Sequence, residues 1–243
     1  MHSNDGGFAM IKGYIFDYGG TLDTAGCHWG QAIWHAYQRQ KVVVSEADFR
    51  QAYVEAERTL GRNPIIQTDY NFHRTLDLKL RIEMEYLFSH HLWPVKKEDA
   101  LAFHDAVLED LYAQTQRITA SSKVVLQEIS QKYPMVLVSN FYGNIHVVLQ
   151  EFHLDGLFQK VIESAVVGIR KPDARIYALG VQALGLQPAE VAVVGDSYPK
   201  DIVPAKKIGC KAIWLKGEGW TDEQFDETLP DKIISDLKEI LLL

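Results

Sequence analysis

Of four polar groups in this sequence, three stand where apolar runs of strand type end and one stands in a loop just ahead of a helix; together they hold the parts of a metal-assisted phosphoryl site. The first is Asp17, in Gly13-Tyr-Ile-Phe-Asp-Tyr-Gly-Gly-Thr-Leu-Asp23. Aromatic and β-branched residues favour a strand at 14–16, and Gly19-Gly20 lets the chain turn sharply after it. The second is Ser139-Asn140, closing Met135-Val-Leu-Val-Ser139, and the third is Arg170-Lys171-Pro172, with Pro172 suited to a helix start. The fourth is Gly195-Asp196-Ser197 with Asp201, after Val191-Ala-Val-Val-Gly195.

Asp17, Asp196 and Asp201 offer the hard oxygen ligands that magnesium takes. The Ser139 hydroxyl and nearby backbone groups, with Gly20 and Asn140 as the candidates, can hold phosphate oxygens, and Lys171 adds a fixed positive charge. A carboxylate beside a metal-neutralised phosphate can attack phosphorus and form an aspartyl-phosphate. Each residue alone has a plainer reading: Asp17 as a turn former, Ser139 as a turn residue, Lys171 as a solvated charge, Asp196 or Asp201 as a helix cap. Their joint occurrence at successive strand ends favours the chemical reading.

The elements that position them follow from periodicity. After the first strand the pattern is helical for about ninety residues. Trp29, Ile33, Trp34 and Tyr37 share a face; Ser45 starts a helix whose apolar side is Phe49, Tyr53, Ala56 and Leu60; Gly61-Arg-Asn-Pro64 breaks it. Helices are expected at 70–91 and at 97–114, the latter with Leu101, Val107, Leu108 and Leu111 inward. From 121 the pattern alternates: helices at 121–132, 144–152, 173–184 and 199–208, strands at 135–139, 161–163, 191–195 and 211–215. A loop is expected at 216–230 and a short strand and helix in the 233–243 tail. Such alternation predicts an α/β fold, a Rossmann-like three-layer α/β/α core with a parallel sheet, carrying an inserted all-α unit. Carboxyl ends of parallel strands share one edge, so Asp17, Ser139 and Asp196 should converge where open α/β sheets bind ligands.

Composition fits a globular protein: 243 residues, 47% hydrophobic, 23% charged. No apolar run approaches the eighteen or so residues of a membrane span. The amino terminus lacks the regions of a signal peptide. Cys27 and Cys210 have no metal-ligand spacing, which predicts free thiols in a reducing cytoplasm. Net charge is −7 with no dense basic cluster, so nucleic acid is not an expected partner, and an anionic substrate needs a local cation. Met10 offers an alternative start, which would leave 1–9 as a disordered extension. Oligomeric state has no signature here.

These motifs resemble those of the haloacid dehalogenase superfamily, whose members are mostly magnesium-dependent phosphatases. Asp17-Tyr-Gly-Gly-Thr21 matches the family's Asp-x-Asp-x-Thr, Ser139 the strand-ending Ser or Thr, Lys171 the Lys ahead of a helix, and Gly195-Asp-Ser…Asp201 the final acidic motif. The resemblance implies catalytic roles for Asp17, Ser139 and Lys171, magnesium ligands Asp17, Asp196, Asp201 and the Gly19 carbonyl, and a small phosphorylated substrate. It divides the chain into a core of 1–23 and 119–243 and a helical cap of 24–118, with hinges near 24–27 and 115–120. Trp29, Trp34, His35, Arg58, Arg62, His73 and Trp93 are the cap side chains that might face substrate.

Gly19 departs from the pattern, because family phosphatases carry their general acid–base Asp there. Asp23 and His28 are candidate stand-ins. Three other readings compete: a metal-independent 2-haloacid dehalogenase; a phosphonate-cleaving enzyme, which needs a buried cap lysine that neither Lys41 nor Lys79 is marked to be; and a weakly active phosphate-binding protein.

Overall fold

The structure is a computed structural model that describes residues 11–243; the extension expected at 1–9 and the alternative start lie outside them. Six parallel strands form one sheet in the order β3-β2-β1-β4-β5-β6. They are β1 (Gly13–Phe16), β2 (Met135–Ser139), β3 (Lys160–Glu163), β4 (Val191–Gly195), β5 (Lys211–Leu215) and β6 (Lys232–Ile234). β1 lies between β2 and β4, and all three are fully buried, which explains their unbroken apolar runs. Within β1, Ile15 faces one layer with Val136, Val193 and Tyr177, while Tyr14 and Phe16 face the other. The expected three-layer α/β fold is the observed one.

Four helices lie between β1 and β2: α1 (Trp29–Arg39), α2 (Glu46–Arg62), α3 (Phe72–Ser89) and α4 (Lys97–Ser130). Ser45 starts α2 as expected, its Oγ accepting the Asp48 N–H at 3.1 Å, with Glu46 and Asp48 complementing the helix dipole. Asn71 starts α3 in the same way. Two helices expected at 97–114 and 121–132 are one continuous helix, α4. The hydroxyl residues at its middle do not interrupt it, because they bond: Thr119 to the Thr115 carbonyl at 2.8 Å and Ser122 to the Leu22 carbonyl at 2.9 Å. The helix therefore crosses both the expected 118/119 boundary and the expected hinge at 115–120. Leu101, expected inward, is 53% exposed, whereas Val107, Leu108 and Leu111 are buried.

After β2 follow α5 (Ile145–Glu151), a short α6 (Ser164–Val167) after β3, α7 (Arg175–Leu184), and α8 (Val203–Lys207) preceded by a single π turn at Tyr198–Ile202. The 216–230 segment carries no strand or helix, as expected, but it is not idle. Trp220 packs on His28 and Tyr53, and its carbonyl accepts from Arg50 Nη1 at 2.7 Å, tying the helical unit to the sheet. No helix among the described residues is long and apolar enough to cross a membrane.

Inside the helical unit Glu83 is fully buried, with Oε2 3.5 Å from the Tyr37 hydroxyl and Oε1 without a partner. Burial pushes its carboxyl from 4.5 up to about 8, with Lys79 pulling the other way. The folded protein thus holds a proton that the unfolded chain releases above roughly pH 4.3. Stability should therefore fall as pH rises from about 5 to about 8. Glu83→Gln is expected to flatten that slope in thermal melts and to raise Tm at pH 8. An unchanged slope would place the titration elsewhere.

Candidate active site

The carboxyl edge of β1, β2 and β4 brings the sequence candidates together. Lys171 Nζ reaches Asp17 Oδ1 at 2.5 Å and Asp201 Oδ1 at 2.8 Å, all three side chains being almost wholly buried. The Tyr177 hydroxyl, from α7, also donates to Asp201 Oδ1 at 2.6 Å, and the Ser197 N–H donates to its Oδ2 at 3.0 Å. Thr21 Oγ1 lies 3.0 Å from Asp17 Oδ2 and 3.1 Å from Asp196 Oδ1, and it accepts the Asp196 N–H. One hydroxyl so spans the first and last motifs.

The close approach depends on glycine. Gly20 has φ +99°, and a Cβ there would lie 2.4 Å from the Asp196 carboxylate. A Cβ at Gly195 would strike Asp201 at the same distance. Gly19 differs. It lies outside the left-handed region, and a Cβ built there meets nothing nearer than the Trp29 indole, with Nε1 at 3.9 Å. The fold does not require glycine at 19.

Fully ionised, three carboxylates facing one ammonium would carry an excess of two negative charges in a buried site. Burial, then Asp17 and Asp201, raise Asp196 well above the carboxylate range, and burial raises Asp17 against the pull of Lys171. Burial draws Lys171 down, but Asp17 and Asp201 outweigh it and hold the ammonium charged. One oxygen from each of Asp17, Asp196 and Asp201 lies within 4.8 Å of the others. This donor set is all carboxylate, and it suits a hard divalent cation, which would neutralise the excess.

The other candidates fall out unevenly. Ser139 ends β2 at the pocket wall, and its hydroxyl makes no bond to the described residues. Gly19 and Gly20 line the same pocket. Asn140 lines the pocket as well, and its side chain has a task of its own. Its Oδ1 accepts the Lys171 N–H at 2.9 Å and its Nδ2 donates to the Lys171 carbonyl at 3.1 Å. The amide thus clamps the Lys171 backbone, leaving one Nδ2 hydrogen and the Asn140 backbone N–H for an anion.

Asp23 is buried beside Gly19, its Oδ1 accepting the Gly20 N–H at 2.7 Å and its Oδ2 the Trp29 Nε1–H at 3.0 Å. Burial pushes its carboxyl to about 7 against those two hydrogen bonds. His28 does not suit the stand-in role. Its Nδ1 accepts the Gly30 N–H as the start of α1, and burial with Lys200 and Lys79 nearby lowers it to about 4, so it carries no imidazolium proton at neutral pH.

The reading of Lys79 does need correction: it is buried and lines the pocket, while Lys41 is exposed. Burial disfavours the Lys79 charge, but Glu57 at 2.6 Å outweighs it and raises the pKa well above 10.5. A Schiff-base lysine must shed its proton, so the pair argues against phosphonate cleavage. Of the cap side chains named from sequence, only Trp29 lines this pocket; His73 pairs with Glu109, His35 with Glu218, and Trp93 packs on Phe103. Sequence reasoning missed Tyr53, Glu57, Tyr142 and Lys200 as pocket residues. One signal existed for Lys79, a charge on the apolar face of α3 between Leu76 and Leu80.

The defining pattern of the haloacid dehalogenase-like hydrolases matches residues 11–209. The chain belongs to that family. Mouse haloacid dehalogenase-like hydrolase domain-containing protein 3 is 26% identical over 204 residues, 82% of this chain and 80% of that protein. A Thermus thermophilus phosphoserine phosphatase is 39% identical over 85 residues, and a Pyrococcus furiosus glyceraldehyde 3-phosphate phosphatase 30% over 89. Those two matches cover only 33% and 37% of the relatives' length. A dehalogenase solved with an intermediate complex superposes over 96% of both chains with a TM-score of 0.63 at 18% identity, a likeness of fold alone. As a haloacid dehalogenase-like hydrolase with phosphatase-named relatives, this protein is a hydrolase.

Proposed function

We propose that this hydrolase is a magnesium-dependent phosphatase of small phosphorylated metabolites in the cytoplasm, with residues 24–118 capping a core of 1–23 and 119–243. The observation that carries the reading is the buried set Asp17, Asp196 and Asp201 against Lys171, whose two uncompensated charges a metal-independent dehalogenase would not need. The phosphatase names of the partial relatives support it.

In this reading Asp17 attacks phosphorus. The new Asp17 O–P bond forms as the ester P–O bond breaks, and the leaving oxygen takes the electron pair. Lys171 holds the nucleophile and offsets the phosphoryl charge, while Ser139 and the Asn140 backbone hold phosphate oxygens; the Gly20 N–H, which donates to Asp23 Oδ1, is already engaged. Magnesium, bound by Asp17, Asp196, Asp201 and the Gly19 carbonyl, would neutralise the phosphoryl oxygens. Thr21 and Tyr177 keep the carboxylates in place. Gly19 offers the leaving oxygen no proton, so turnover is selective for good leaving groups; Asp23 is the remaining candidate donor.

Activity on an activated aryl phosphate tests this. Turnover should require magnesium, stop with a chelator and return when magnesium is restored. Metal-independent halide release from a 2-haloacid would favour the dehalogenase, and saturable phosphate binding without turnover would favour a binding protein.

A further inference from the structure

The loop after β5 lies directly against the start of α1. The His28 N–H donates to the Glu218 carbonyl at 2.8 Å, and Gln31 Nε2 donates to the Gly219 carbonyl at 3.2 Å. A Cβ at Gly217 would lie 2.4 Å from the Gly26 carbonyl oxygen, and one at Gly30 would lie 2.2 Å from the Trp220 ring. Glycine at these places lets the two segments, 26–30 and 217–220, meet with no side chain between them. Their register is therefore fixed by backbone contacts.

Three side chains with metal-binding atoms converge at this seam. Cys27 stands just ahead of α1, His35 lies one turn after Gln31 on the same face of α1, and Glu218 comes from the loop. One donor atom from each lies within 4.8 Å of the other two, and His35 Nε2 is 3.3 Å from Glu218 Oε1. Nitrogen and oxygen ligands about 2.0–2.1 Å from a tetrahedral ion stand about 3.3 Å apart, and sulfur at about 2.3 Å stands about 3.6 Å from either. Two of the three are thus at ligand spacing, and the sulfur has about 1 Å or less to close. Cys27 Sγ makes one weak hydrogen bond among the described residues, to the His28 carbonyl at 3.7 Å. Arg39, one turn beyond His35, is held by Asp110 at 2.9 Å and leaves Glu218 to the histidine. Cys27 is half-buried, while the His35 and Glu218 side chains are 37% and 50% exposed, so water reaches the fourth position.

We propose that Cys27, His35 and Glu218 bind one zinc ion, with water as the fourth ligand, at a site that shares no residue with the acidic cluster and does not depend on the phosphatase reading. Thiolate, imidazole and carboxylate suit a borderline ion that takes nitrogen and sulfur, whereas magnesium keeps to oxygen. Cys27 binds as the thiolate, its proton passing to solvent, and thiolate and carboxylate together balance the two positive charges. The His35–Glu218 contact alone, half-exposed, would add little to stability. The ion turns it into a cross-link between α1 and the loop. Trp220, two residues after Glu218, packs on His28 and Tyr53 of the pocket lining, so the ion fastens the loop that backs that wall. No spacing in the sequence announces the site, because Glu218 is remote from Cys27 and His35 along the chain.

Cobalt(II) titrated into the full chain in saturating magnesium, with a phosphine reductant, tests this. Sulfur ligation gives a thiolate-to-cobalt charge-transfer band in the near ultraviolet, which carboxylates cannot give. The band should saturate at one ion per chain, and zinc should abolish it by displacement. Cys27→Ser should remove it, Cys210→Ser should keep it, and His35→Ala or Glu218→Gln should weaken cobalt binding at least about tenfold. Zinc should also raise the Tm of the native protein, and Cys27→Ser should lose that rise. Melts without added metal check that each variant folds. Absence of the band in the native protein overturns the inference, whatever the variants do. A band that survives Cys27→Ser, or a cobalt affinity that His35→Ala and Glu218→Gln leave unchanged, overturns it as well. Magnesium-dependent turnover of an aryl phosphate by a protein without the band would leave the phosphatase reading standing.

Discussion

Gly19→Asp is expected to raise turnover of unactivated alkyl phosphates by roughly 10²- to 10⁴-fold, the usual contribution of general acid–base catalysis. The substitution has room, because the position avoids the left-handed region and its Cβ would meet only the Trp29 indole, at 3.9–4.0 Å. That indole N–H now points at Asp23 and could donate equally to a new carboxylate. The gain should depend on the leaving group. A nitrophenolate departs without a proton, so an aryl phosphate should respond far less than an alkyl one. If Asp23 supplies the proton in the native protein, Asp23→Asn should slow alkyl phosphates in the native background and matter little beside Gly19→Asp. A folded Gly19→Asp protein that binds magnesium normally yet gains nothing on alkyl phosphates would show that proton supply does not limit this site.

Asp17→Asn should lower turnover by on the order of 10⁴-fold or more, since an amide oxygen is a poor nucleophile for phosphorus. The change is nearly isosteric, so packing around Ile15 and Phe16 should hold. It also reduces the excess negative charge of the cluster from two to one, so magnesium affinity should fall as well, readable by calorimetry. Acid-quench trapping of phosphate on the protein separates the two effects: native protein should carry a hydroxylamine-sensitive label, and the variant none at any magnesium concentration. Activity within tenfold of native would remove Asp17 from the nucleophile's place.

The contrast between residues read and residues missed has a physical cause. Asp17, Ser139, Lys171, Asp196 and Asp201 were legible because each follows or precedes an element whose periodicity is local, and a parallel sheet gathers strand ends on one edge. The Glu57–Lys79–Tyr142 contact joins α2, α3 and a loop after β2, and such meetings depend on how helices pack across the cleft, which no local spacing encodes. His28 misled as a chemical candidate because a helix start and a proton donor use the same residue type. α4 is one helix where two are expected, because its central threonine and serine hydroxyls find carbonyls to bond in the helix and beside it. The hold of the Asn140 amide on the Lys171 backbone is likewise a tertiary contact, 31 residues apart in sequence, that no local pattern encodes.

The uninterrupted α4 has a mechanical consequence. At 1.5 Å per residue its 34 residues make a rod about 50 Å long, packed on α1 and α3 at one end and on the carboxyl-terminal turn Leu237–Leu242 at the other. A rod has no elbow. Any swing of the helices over the site must tilt it as a whole, and a tilt of only about 5° moves one tip by about 4 Å relative to the other. If the helices swing in this way, a small change in how Leu237 and Ile240 pack against α4 would be magnified at the mouth of the pocket.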